Sequence, residues 1–178
     1  KNKNLLKNWT GRAGSNIGLN SSPYQMTIDE NDDLYATGYI NFTGSFSLMK
    51  FDNGVFTKIT IQDQSFSLPA SGSFKSFGEY LYLTTGSISP GEIYKIKKDG
   101  SSHEVIDAPN PVYGIEIIDD NSFYITSYSS TDGKIYYYKD GDFTEIGSGV
   151  KGYLDGAISQ AKFDTPKSIG KDLDGNLI

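Results

Sequence analysis

Five consecutive oxygen-rich residues, Asp29-Glu30-Asn31-Asp32-Asp33, form the densest acidic cluster of the chain. Oxygen donors at that density could ligate a hard cation such as calcium. The same residues also read as a solvent-facing turn between two strands. A similar run at Asp119-Asp120-Asn121-Ser122 occupies the same place in a later segment, which favours the turn. A second candidate, Asp172-Leu173-Asp174-Gly175-Asn176, matches half of an EF-hand loop. It lacks the third acidic position before the glycine and the distant bidentate glutamate, so it reads as a hairpin turn. His103 is the single histidine and there is no cysteine, so a zinc site or a thiolate nucleophile has no ligands to draw on. His103 follows Asp99-Gly100 and is expected at the surface. No serine stands in a Gly-x-Ser-x-Gly elbow, and "GSGVKG" at 147–152 has the glycines of a phosphate loop without its Lys-Ser/Thr ending. On these grounds no catalytic residue, metal ligand or cofactor is assigned; calcium is the one ion with any support.

What positions these residues is a repeat. "PYQMTIDENDDLYATG" from Pro23, "PASGSFKSFGEYLYLTTG" from Pro69 and "PVYGIEIIDDNSFYITS" from Pro111 share a proline, an apolar strand, a polar turn and a second strand. That second strand carries Tyr35, Tyr82 and Tyr124 in turn. Each segment continues into a hairpin, with turns expected at Asp52-Asn53-Gly54, Asp99-Gly100 and Asp140-Gly141. Asn-Gly and Asp-Gly tolerate positive φ and suit the primed turns that match strand twist. Alternation is clear in Ile93-Tyr94-Lys95-Ile96 and Phe143-Thr144-Glu145-Ile146, and no long stretch has helical periodicity. The unit is four short antiparallel strands in a meander of about 40–45 residues, the size of a propeller blade.

The expected fold is therefore all-β: one β-propeller segment over residues 1–178, with three four-stranded blades and the start of a fourth. Residues 1–20 form a lead-in or outer strand, 21–61, 67–107 and 109–147 the blades, and 148–178 a linker and an incomplete blade. Three blades and a stub cannot close a ring. The chain is accordingly expected to be a fragment of a longer one, or to pair its open edges with a second copy.

Composition limits the partners. Twenty glycines, 13 tyrosines and 10 phenylalanines stand against two methionines and one tryptophan, with a formal charge of −6. The single arginine is Arg12, so the clustered cations of a nucleic-acid surface are missing. No apolar run approaches the ~20 residues of a membrane helix. The alternating tyrosines Tyr80, Tyr82, Tyr94, Tyr136 and Tyr138 are expected to pack between blades. Tyr39, Phe42, Phe46 and Tyr128 instead fall in loops between second and third strands, which in a propeller share a face around the channel mouth. The loops "GYINFTGSF", "GSISPGE" and "SYSSTDGK" mix aromatic and amide groups suited to stacking and hydrogen bonding with peptide or sugar. The candidate ligand-binding residues are Tyr39, Asn41, Phe42, Tyr128 and Asp132.

The segment "GSGVKGYLDGAISQAKFDTPKSIGKDLDGNLI", residues 147–178, resembles the NHL repeat of β-propellers: a glycine-rich lead, Asp-Gly, Ala-x-Phe, Pro, then an Asp-x-Asp-Gly-Asn-Leu hairpin. The earlier units depart from it, since their second strands are expected to end at Thr37, Thr84 and Thr126 where an NHL unit has aspartate, and the Asn-x-Arg-Ile element that follows is absent. The resemblance implies a ring of about six blades when complete. With these loops and a composition rich in Tyr, Asn, Ser and Gly without Cys, the leading expectation is a non-catalytic scaffold outside a bacterial cell, or in its envelope or periplasm, that binds protein or glycan through loops at the channel mouth. Related six-bladed propellers include calcium-dependent lactonases whose metal is held by channel-lining Glu, Asn and Asp; Glu116 is the one candidate here. A third expectation is an assembly module that pairs through open blade edges.

Overall fold

The computed structural model describes residues 21–40, 46–52, 55–63, 65–69, 72–86, 89–128 and 133–178. Three four-stranded antiparallel sheets follow one another, each a meander whose strands pair in chain order. Blade 1 comprises β1 (Ser21–Ile28), β2 (Leu34–Ile40), β3 (Phe46–Asp52) and β4 (Val55–Lys58). Blade 2 comprises β5 (Phe74–Phe77), β6 (Tyr80–Thr84), β7 (Gly91–Lys97) and β8 (His103–Ala108). Blade 3 comprises β9 (Val112–Asp119), β10 (Ser122–Tyr128), β11 (Gly133–Lys139) and β12 (Asp142–Ile146). The first strands neighbour one another, β1 against β5 and β5 against β9, so the sheets radiate from an inner edge. Past blade 3, a bridge between Lys171 and Leu177 closes over the Asp172 turn and starts a fourth unit.

Burial explains why these residues make strands. A blade between two neighbours is covered on both faces, so its second strand can be apolar throughout, and Leu81, Tyr82, Leu83 and Thr84 are all fully buried. The outermost strands β4, β8 and β12 have no such cover and alternate or expose polar residues. Strand register makes the three blades superimposable. Tyr35 sits opposite Thr27 and Lys50, Tyr82 opposite Lys75 and Lys95, and Tyr124 opposite Glu116 and Tyr137. Residues in phase with these tyrosines look toward the next blade, and those out of phase look back.

Two cores follow from that phase. Tyr35 and Leu48 of blade 1 pack against Phe74, Leu81, Leu83, Tyr94 and Ile96 of blade 2. Tyr82 and Ile93 of blade 2 pack against Ile115, Ile117, Phe123 and Ile125 of blade 3, where Phe123 stacks on Tyr138 at 4.4 Å. Full burial of one such aliphatic or aromatic side chain is worth roughly 1.5–3 kcal/mol. The tyrosines expected between blades are there: Tyr82, Tyr94, Tyr136 and Tyr138 are buried and Tyr80 packs against them.

Local geometry corrects some details. Asp140 and Gly141 both have positive φ (49° and 105°), the backbone of a primed two-residue turn. The Asp99-Gly100 hairpin is wider. Lys97 N–H donates to Ser102 O (3.0 Å), Gly100 N–H donates to Lys97 O (2.8 Å), and only Gly100 is left-handed, at φ 76°. Asn53 and Gly54 of the first hairpin lie outside the described residues. The second strands do not all stop at the threonines. β6 ends at Thr84, but β2 and β10 run on to Ile40 and Tyr128 because the third strand continues alongside them. His103 is only partly exposed. It stacks on Phe66 with centroids 4.2 Å apart and keeps only 19% of its side chain exposed, because the connection between blades 1 and 2 folds over it.

Candidate functional site

The acidic run at 29–33 is a turn, and its charges are already engaged. Asp29 Oδ1 accepts the main-chain N–H groups of Asn31 and Asp33, both at 2.9 Å, which closes the turn on itself. Its other oxygen accepts Lys98 Nζ from blade 2 at 2.7 Å, with the Asp29 side chain 2% exposed. Lys50 takes Asp33 at 2.6 Å, and both ammonium groups lie within 5.6 Å of the Tyr35 ring centroid. Burial opposes the Asp29 charge, but the Lys98 ammonium and the two N–H donors outweigh it, so its carboxyl sits below the usual carboxylate range. Hydrogen bonding to Asp33 likewise raises Lys50. The cluster is thus a polar latch between blades 1 and 2. Glu116, on the inner strand β9, is paired with Lys75 of β5 at 3.3 Å, so its carboxylate faces an ammonium group.

Asp172 behaves as a hairpin residue. Its carboxylate accepts the N–H groups of Asp174 (2.9 Å) and Asn176 (2.8 Å) and the Asn176 side-chain amide (2.9 Å). Those bonds, led by Asn176, lower its carboxyl below the ordinary range.

The candidate binding residues divide. Asn41, Phe42 and Asp132 lie outside the described residues, as does the side chain of Tyr128, whose backbone ends β10 opposite Gly133. Tyr39 ends β2 opposite Phe46, and its ring meets Phe46 edge-on at 5.3 Å while remaining 42% exposed. Strand register makes Tyr39 and Tyr128 equivalent positions of their blades, with Gly86 at that position in blade 2.

Two further aromatic residues, not singled out by sequence reasoning, lie near Phe46. Tyr24 approaches the other flank of Phe46 at 6.1 Å and is 66% exposed. The register of β1 with β2 slips between Pro23 and Gln25, and this irregularity places Tyr24 beside Phe46. Phe66, in the connection after β4, covers Tyr94 and His103. A Tyr adjacent to the repeat's proline was the available signal for Tyr24; Phe66 had none, because the connection has no counterpart in the other blades.

Beside Phe46 a cleft of about 240 Å³ separates the start of β3 from that connection. Phe46, Leu48, Ile59, Phe66 and Leu68 form its apolar wall, and Ser47, Lys58, Thr60, Asp63 and Ser67 line the rest. Asp63 accepts the Ser65 hydroxyl at 2.6 Å and the Ser65 N–H at 2.9 Å, which hold its carboxyl low and charged.

No family model matches the chain, and no curated protein matches it. Two solved structures share its fold. The first is the extracellular domain of a hybrid two-component system from B. thetaiotaomicron, with TM-score 0.57 and 14% identity over 88% of this chain and 20% of that one. The second is YCF48 bound to D1 peptide, with TM-score 0.50 and 12% identity over 88% of this chain and 45% of that one. With the radial blades, these likenesses make the protein a β-propeller segment: three four-stranded blades and the start of a fourth. It spans less than half of either neighbour.

Proposed function

We propose that this propeller segment is a non-catalytic scaffold that binds a protein partner, and that it does so through the loop ends of its blades. The observation that carries the reading is the exposed aromatic group Tyr24–Phe46–Tyr39, held on rigid strands. Tyrosines so placed offer apolar area with little side-chain entropy to lose, the usual composition of binding hot spots. The lysines and acids of the opposite turns, in contrast, are spent on each other. One structural neighbour is captured with a peptide, which supports a protein partner over a glycan. A setting outside the cell or in its envelope is part of the proposal, supported by the extracellular neighbour. No helix among the described residues is long and apolar enough to cross a membrane. We assign the closing segment to the NHL type, supported by the Asp172 hairpin that its motif anticipates. The test is parallel display of the protein on arrayed peptides and arrayed oligosaccharides. Peptide signals should fall at least tenfold in Tyr24→Ala/Tyr39→Ala with unchanged melting temperature. Signals confined to oligosaccharides, or indifferent to the double substitution, would contradict it.

A second reading rests on a different face. Met26 and Ile28 of β1 are 54% and 52% exposed, whereas Ile115 and Ile117, at the equivalent register positions of β9, are 0% and 5% exposed against blade 2. The backward face of blade 1 is therefore composed like one that packs on a preceding blade. We propose that a further blade docks there, from the rest of a ring or from a second copy. Sedimentation of this chain at micromolar concentration should show a dimer or larger species that Met26→Asp/Ile28→Asp reduces to monomer. A monomeric parent chain would contradict docking by a second copy.

A further inference from the structure

The three blades differ at one structurally equivalent position. Counting along the third strands from Lys50, Lys95 and Tyr137, which face the repeat tyrosines, brings Phe46, Gly91 and Gly133 to the same place. In blade 2 the outer strand β8 reaches this point, with Ala108 opposite Gly91, and the chain then crosses so closely that a Cβ on Gly91 would collide with the Asn110 carbonyl. In blade 3 the crossing segment seals Gly133 in the same way, since a Cβ there would collide with the carbonyl of Phe163. Glycine at both positions lets the following connection close over the strand end.

Blade 1 is built otherwise. Its outer strand stops pairing at Lys58 opposite Met49, with one further bond from Ile59 N–H to Leu48 O at 2.8 Å. Ile61 would lie opposite Phe46 if β4 continued. Instead the chain has turned to blade 2, where Gln62 N–H donates to Gly100 O at 3.0 Å. In an antiparallel strand alternate residues direct their main-chain groups to the same side. The N–H and C=O of Phe46 therefore point, like those of Leu48, toward the edge that β4 has left. The Phe46 ring takes the volume that glycine leaves to a crossing chain in the other blades, and the cleft of about 240 Å³ lies between it and the connection.

We propose that this cleft is the docking site for an extended peptide that follows the abandoned course of β4 beside Phe46 and inserts one apolar side chain against Phe46, Phe66 and Leu68. The inference rests on the reading of the loop ends as a binding face and locates the anchor within it. Main-chain pairing at a strand edge supplies affinity for any extended segment, and the side-chain pocket supplies selectivity. The cavity is smaller than the ~300–1,000 Å³ of pockets that enclose drug-sized ligands, and so suits a single large side chain. Its lining carries one acid, Asp63, and one base, Lys58, while the chain as a whole carries −6, so basic residues beside the anchor are favoured by the overall charge. Tyr24 and Tyr39 flank the same ring and are placed to cover the peptide beyond the anchor.

The probes are fluorescein-labelled peptides Lys-Val-X-Val-Lys, with X = Phe, Leu or Ser, measured by anisotropy against the whole chain. The Phe and Leu peptides should bind, and the Ser peptide should bind at least tenfold more weakly. Phe46→Gly and Ser67→Trp, which remove the wall and fill the mouth respectively, should each weaken the Phe peptide at least tenfold. Ser67 is exposed and its substitution leaves the core intact, so it answers even if Phe46→Gly unfolds. Equal affinity for Phe and Ser, or no binding of any peptide, overturns the inference. Binding that survives both cleft variants but is lost in Tyr24→Ala/Tyr39→Ala overturns the cleft and leaves the loop-end reading standing. Binding indifferent to all of these variants overturns both.

Discussion

The seam between blades 1 and 2 and the seam between blades 2 and 3 solve the same packing problem differently. The second seam has an apolar centre, from Val112 and Ile115 through Phe123 stacked on Tyr138, and a short crossing follows Ala108 directly over Gly91. Two lysine contacts among the described residues also cross it, from Lys95 Nζ to the carbonyl of Asp120 at 2.6 Å and from Lys75 Nζ to Glu116 at 3.3 Å on the inner strands. The first seam has an apolar centre as well, but it is latched at one end by Lys98, which pairs with Asp29 and Glu30, and left open at the other, beside Phe46. Regular packing carries the architecture, and the unit that departs from it carries the exposed aromatic group. A repeat protein can specialise one unit in this way because each blade contacts only its neighbours.

Several substitutions can break or sharpen this contrast. The two largest effects are expected in the second seam, at the buried Tyr82 and at the crossing over Gly91. Gly91→Val places side-chain atoms into the Asn110 carbonyl, and overpacking of this kind costs about 1–3 kcal/mol or more; chemical denaturation should show it, while the same residue type at position 46 should be tolerated. Tyr82→Ala empties a fully buried site that belongs to the second seam, with a loss of about 3–5 kcal/mol by the same measurement. If that loss falls near the lower end of the range while Gly91→Val exceeds it, backbone closure rather than ring volume dominates the seam.

Smaller effects are expected at the latch. Asp29→Asn keeps an oxygen for the turn N–H groups but removes the charge that Lys98 pairs with, a loss of about 2 kcal/mol typical of charged hydrogen bonds. Its pH dependence has a definite sign. The folded-state carboxyl lies below its unfolded value, so its contribution is fully present above the unfolded pKa and is lost as pH falls through the folded one. The stability difference between parent and Asp29→Asn should therefore be flat near neutrality and shrink in the acid range, below the ordinary carboxylate pKa. The smallest effect is expected at Asp172, an exposed turn residue whose replacement by alanine should leave the three complete blades and their melting temperature nearly unchanged.

The strand layout was legible in the sequence because each second strand carries its tyrosine and each hairpin its Asp-Gly or Asn-Gly. The acidic run could be read as a turn for the same reason: its counterpart at 119–122 recurs in phase. The site was harder to see. The three loops between second and third strands contain the position that matters, Phe46, Gly91 and Gly133, but the first loop is longer, and only pairing across the sheets aligns the phenylalanine with the glycines. Tyr39 was legible because it is aromatic in a polar loop. Tyr24 was not, since a local slip in register, rather than alternation, carries it to Phe46. The partial cover of His103 depends on Phe66, which reaches it through a connection with no repeat to predict it.

The measurement that most directly tests the account is shift mapping of the labelled chain by NMR with N-acetyl-phenylalanine methylamide, a probe that carries one apolar side chain and two peptide groups. Shifts should concentrate on the amides of Phe46, Ile59, Phe66 and Leu68 and leave Gly91 and Gly133 unmoved. Equal shifts at the three equivalent strand ends, or none at Phe46, would contradict the claim that blade 1 alone among these blades is open.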